Sequence, residues 1–96
     1  VDFEYDGEMQ ADTALNFNLM QQVYPFCRLT DAANCLIMPA LHSASISAKL
    51  LRALGDGTVI GPVMIGLAKP VQFVPMGSTV NDVVNAAALA AHDAIL

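Results

Sequence analysis

Two short segments hold the residue types that could do chemistry. The first is Met38-Pro39-Ala40-Leu41-His42-Ser43-Ala44-Ser45-Ile46-Ser47, where a histidine and alternate serines follow an apolar run at a proline turn. A helix starting here offers unpaired backbone N–H groups and a partial positive charge. The hydroxyls of Ser43, Ser45 and Ser47 add donors, so the segment could hold a phosphate or another anion. The same residues also fit a structural role, with one serine capping the helix and the others packing or facing water. The second segment is Pro75-Met76-Gly77-Ser78-Thr79-Val80-Asn81-Asp82. Asp82 could be a catalytic carboxylate, or it could stabilise a helix start by about 0.3–1 kcal/mol.

The remaining titratable residues form weaker patterns. His42 and His92 lie far apart, and spacing alone defines no Ser–His–Asp or Cys–His set. His92 falls late in the last helical stretch, where a cation favours the helix dipole. Asp2, Glu4, Asp6 and Glu8 place alternate carboxylates on one face of an extended segment, which reads as a solvated face rather than a metal site. Cys27 and Cys35 fit neither a CxxC pair nor a zinc knuckle, and read as buried packing thiols in a reducing compartment.

The elements that must position these residues follow from periodicity. Val1 to Asp6 alternates apolar residues with acids, the pattern of a strand with one buried face, and Gly7 ends it. Residues 9–22 repeat at helical spacing up to Pro25, which cannot continue a helix. Asn34 to Met38 is nearly all apolar, as a central parallel strand would be. Leu41, Ile46, Leu50, Leu51 and Leu54 cluster on one side of a helix over 41–54, and Gly55 supplies its terminal glycine. Residues 58–65 and 70–74 read as two more strands, the first at an edge or bulged because Pro62 cannot donate to a ladder. Thr79-x-x-Asp82 resembles a capping box with Asp in place of Glu. Val80, Val83, Val84, Ala87, Ala91 and Ile95 then form one apolar stripe. The alternation of strands and helices is an α/β layered pattern. An opening directly in a strand reads as part of a larger domain.

Composition narrows the function. Of 96 residues, 55% are hydrophobic and 14% are Asp, Glu, Lys or Arg, against about 25% charged in an average soluble domain. The mean hydropathy of +0.52 predicts that another polypeptide covers part of the apolar surface. A net charge of −5, with only Arg28, Lys49, Arg52 and Lys69 basic, excludes a nucleic-acid partner. The apolar stretches are too interrupted for a membrane span, no basic face could lie on a bilayer, and acids stand where a signal peptide would be basic. A cytoplasmic location is expected.

Three segments together carry a family resemblance. Asp6-Gly7-Glu8-Met9-Gln10-Ala11-Asp12, Ala33-Asn34-Cys35-Leu36-Ile37-Met38-Pro39 and Gly61-Pro62-Val63-Met64-Ile65-Gly66-Leu67-Ala68-Lys69-Pro70-Val71 resemble, in order and spacing, the motifs of the phosphate acetyl/butyryltransferase family. The run Leu41 to Ser47, with Tyr24 to Leu29 upstream, looks most like the branch fused to the C-terminus of large bacterial NADP-dependent malic enzymes. The resemblance implies a three-layer α/β/α, isocitrate-dehydrogenase-like and phosphotransacetylase-like fold of which residues 1–96 are the C-terminal part.

It also implies a departure from catalysis. Active phosphotransacetylases place a Ser-Arg pair before the glycine of the last turn and an Asp in the following helix. Here the pair reads Pro75-Met76, while Asp82 is kept. Arginine can pair bidentately with phosphate and serine can relay a proton, which proline and methionine cannot. Of the family's "N-I-x-Y-K" run, Ser45-Ile46-Ser47-Ala48-Lys49 retains only Ile46 and Lys49. No catalytic residue and no metal ligand is expected here. Expected instead is a sensor of acetyl-CoA or a related acyl-CoA, with His42, Ser43, Ser45, Met76, Gly77 and Asp82 as effector-binding residues. NADP, Mg or Mn, and the malic-enzyme catalytic part would belong to the parent chain in cis, and the alanine-rich last helix would pack at a homo-oligomer contact or on its own sheet. The rivals are an active phosphate acetyltransferase and a purely structural oligomerisation module.

Overall fold

Asn16 divides the first helical stretch. A computed structural model of Val1–Leu96 places α1 at Ala11–Leu15 and α2 at Phe17–Val23, so the single helix expected over 9–22 is two. Asn16 is extended at φ −125°, ψ 100°, and its side-chain oxygen accepts the Leu19 N–H at 3.2 Å. Asparagine competes for backbone groups in this way, so it caps a new helix rather than continuing the old one. Tyr24 donates its N–H to the Met20 carbonyl at 2.7 Å, and α2 ends before Pro25 as expected. The two longer helices, α3 (Leu41–Leu54) and α4 (Val80–Ile95), lie where periodicity predicts them.

Two compact units are formed, Val1–Ala48 and Lys49–Leu96. In the first, Thr13, Ala14 and Met20 are buried at the α1–α2 corner. Ala33 donates its N–H to the Ala14 carbonyl at 2.8 Å, and the Cys27 thiol lies 3.6 Å from the Met20 sulfur. Cys27 is half-buried but Cys35 is exposed, so only one of the expected packing thiols packs, and both are free.

No strand forms within residues 1–96, so the four strands expected from the sequence are corrected, and no layered sheet is seen in these residues. The runs 1–6, 34–38, 58–65 and 70–74 make no ladder with one another, and a strand exists only when another strand takes up its N–H and C=O groups. Their apolar side chains stay open, with Ile37 89% and Ile65 80% exposed. Side chains stand in for ladder neighbours at two places. Asp2, Glu4, Asp6 and Glu8 are exposed, as expected of a solvated face, and two of them also bond across to a neighbouring segment: Asp6 accepts the Arg28 N–H at 2.8 Å and Glu4 the Thr30 N–H at 3.0 Å. In the second unit the Gln72 amide brackets Met64, accepting its N–H at 2.9 Å and donating to its carbonyl at 3.0 Å.

Gly55 follows α3 as expected, but for a steric reason. Its φ is not positive, so the left-handed cap is absent, yet a Cβ there would lie 2.7 Å from the Leu51 carbonyl oxygen. Gly66, at φ 81°, and Gly61, at φ 146°, are the positions whose backbone favours glycine outright.

Candidate functional site

The sequence-predicted residues divide between the units, with His42, Ser43 and Ser45 in the first and Met76, Gly77 and Asp82 in the second. The first group lies in the opening turns of α3, where His42 and Ser45 are exposed and Ser43 is half-buried. The residue before the helix is Ala40, so no serine occupies the capping position. Ala44 is the first amide bonded back across the turn, to the Ala40 carbonyl at 3.1 Å. The preceding N–H groups of Leu41, His42 and Ser43 have no intrahelical partner, as at any helix start.

The second group surrounds the start of α4. Ser78 donates its hydroxyl to the Pro75 carbonyl at 2.6 Å, which tightens the turn that carries Met76 and Gly77. Thr79 is extended and caps the helix. Its Oγ1 accepts the Asp82 N–H at 3.2 Å, and Asp82 Oδ2 accepts the Thr79 N–H at 2.9 Å. The expected capping box is therefore complete, with Asp filling the role usually held by Glu. The Thr79 N–H, then the Thr79 hydroxyl and more weakly the Arg52 charge, hold the Asp82 carboxyl below its ordinary pKa. An anion with these partners is a poor general base. Met76 is fully exposed and offers no polar atom.

An open recess of about 410 Å³, counted out to solvent, adjoins this turn and is lined by Arg52, Gln72, Pro75, Ser78, Asp82 and Asn85, among others. Arg52 is its one cation, and it donates to the Gly61 carbonyl at 3.3 Å. Sequence reasoning missed Arg52 as a site residue. It occupies an unremarkable helical position, and only the fold shows that it faces the turn before α4. His92 lies in the last turn of α4, where it suits the helix dipole as expected.

No group of three or more His, Cys, Asp or Glu side chains is placed to hold a metal ion. No helix is long and apolar enough to cross a membrane.

Comparison with known proteins places the chain among relatives of two kinds. The family model described as phosphate acetyl/butaryl transferase matches residues 1–91. An NADP-dependent malic enzyme of Rhizobium meliloti (strain 1021) is 61% identical over 98% of the chain, and a probable NADP-dependent malic enzyme of Rickettsia prowazekii is 48% identical over 99%. A phosphate acetyltransferase of Treponema pallidum is 38% identical over 93%. The chain spans 12% of the length of each of these two malic enzymes and 26% of the transferase. No solved structure matches.

Proposed function

Because the chain belongs to the phosphate acetyl/butaryl transferase family, we propose that it is the acyl-CoA-sensing part of an NADP-dependent malic enzyme, with the catalytic part in cis. The parent oxidatively decarboxylates malate to pyruvate in the cytoplasm, using NADP and Mg or Mn bound outside residues 1–96. The intact domain takes up the three-layer α/β/α arrangement, associates as a homo-oligomer, and binds acetyl-CoA or a related acyl-CoA as a regulator.

The observation that carries this reading is the state of Asp82. Its carboxylate is committed to the Thr79 cap, and the positions before Gly77 hold Pro75 and the exposed, apolar Met76. A transferase needs a group to take or give a proton and a cation to hold phosphate, and this turn presents neither at those positions. Effector binding needs less. The free N–H groups at the start of α3, beside His42, Ser43 and Ser45, suit an anionic group. In the second unit, the recess lined by Asp82 holds Arg52, whose guanidinium by itself suits phosphate or a polarised carbonyl.

The match to phosphate acetyltransferases favours a second reading, in which the chain still belongs to an active enzyme making acetyl phosphate and CoA from acetyl-CoA and phosphate. Assay of acetyl phosphate formation by the full-length protein separates the two. The sensor reading predicts none above the uncatalysed rate, and robust turnover overturns it.

A further inference from the structure

Arg52 and Asp82 are the only charged residues lining the recess beside α4, and they offset each other. The Arg52 charge lies close enough to help keep the Asp82 carboxyl ionised. The recess is therefore neutral in sum. A phosphate entering it would meet the Asp82 carboxylate as well as the guanidinium, and like charges in one site repel. An uncharged polar group meets no such penalty.

The polar side chains of the recess differ in what they have left to offer. Gln72 uses its oxygen and nitrogen on Met64, Ser78 gives its hydroxyl hydrogen to the Pro75 carbonyl, and Asp82 caps Thr79. Arg52 uses one donor on the Gly61 carbonyl and keeps others. Asn85 alone among them makes no hydrogen bond, although it is half-buried. It stands three residues along α4 from Asp82, on the same face of the helix. A free carboxamide holds a donor and an acceptor side by side, which the C=O and N–H of an amide complement. Apolar side chains such as Phe73 and Leu89 complete the lining and suit a methylene chain. At about 410 Å³, counted out to solvent, the recess is at the small end of ligand sites, which run about 300–1,000 Å³. It suits one end of an acyl-CoA rather than the whole molecule.

Resting on the acyl-CoA-sensing reading, we propose that this recess takes the uncharged amide-and-thioester end of the ligand and leaves its phosphates outside. Asn85 pairs with the amide, and Arg52 donates to the thioester carbonyl. Asp82, held in its cap, takes no proton there, so the thioester is bound and not cleaved.

The test uses the full-length parent and N,S-diacetylcysteamine, a phosphate-free fragment with the same amide and thioester. Saturation-transfer NMR is expected to show the fragment bound to the unmodified protein. Acetyl-CoA is expected to displace it, and inorganic phosphate to leave it in place. Asn85→Leu, of similar size, is expected to weaken acetyl-CoA binding about tenfold by calorimetric titration. The fragment is followed on the unmodified protein, so the outcome does not depend on that variant folding. No fragment binding, a fragment that phosphate removes or acetyl-CoA does not, or unaltered acetyl-CoA affinity in Asn85→Leu overturns the assignment and leaves the sensor reading standing. Acetyl-CoA failing to bind the unmodified protein overturns both.

Discussion

Asp82 and Thr79 hold each other at the head of α4, each accepting the other's backbone N–H, at 2.9 Å and 3.2 Å. The residue with the best claim to be a catalytic carboxylate is thus part of the structure that starts the helix. Thr79→Ala removes one half of this pair and is expected to destabilise the domain by about 1 kcal/mol, with Thr79→Ser close to the parent. Denaturant unfolding of the full-length protein measures both. An unchanged midpoint for the alanine variant would show that the cap contributes nothing there.

The pH dependence follows from the same bonds. Asp82 and Asp6 both have folded-state pKa values below the ordinary carboxylate value, Asp82 through Thr79 and Asp6 through the backbone N–H groups of Arg28 and Gly7. A depressed folded pKa contributes stability that is fully present above the unfolded value of about 3.9 and is lost as pH falls through the folded one. Stability is expected to drop below pH ~4. The drop should be shallower in a variant carrying Asp6→Asn and Asp82→Asn, as followed by thermal melts across an acid series.

Arg52 is the cation of the recess. Arg52→Met is expected to weaken acetyl-CoA binding to the full-length protein about tenfold, or ~1.4 kcal/mol. Calorimetric titration measures it, and unaltered affinity would place the effector elsewhere.

Gln72 acts on Met64 as a neighbouring strand would. Gln72→Leu removes both bonds, and the Met64 amide is expected to exchange its hydrogen about tenfold faster. An unchanged rate would mean that another group already protects that amide in the full protein.

The helices and their ends could be read from the sequence because the interactions that make them are local. Pro25 stopping α2, the Thr79–Asp82 box and the 41–54 repeat all depend on residues within a few positions of each other. Asn16 carries an N-cap signal of the same local kind, which the apolar repeat around it masks. The strands were not realised because the apolar character of 34–38 and 58–65 states only that a segment is to be covered. The covering partner lies far along a chain and is absent from the segment itself. The α4 stripe was visible in the sequence, but its direction was not. Only the placement of Asp82 and Asn85 over residues 72–75 shows that the apolar side points away. Arg52 and the Glu4 and Asp6 bonds were invisible for the same reason, since each joins segments that spacing does not relate.

The proposed function makes a family pocket without its reactive pair a sensor for the active site of the parent enzyme. The most direct test is malate oxidation by the full-length protein with and without acetyl-CoA, beside a form truncated before the family domain. Inhibition of the intact enzyme and none of the truncated one is expected. Equal malate turnover in the intact enzyme at every acetyl-CoA concentration would contradict it.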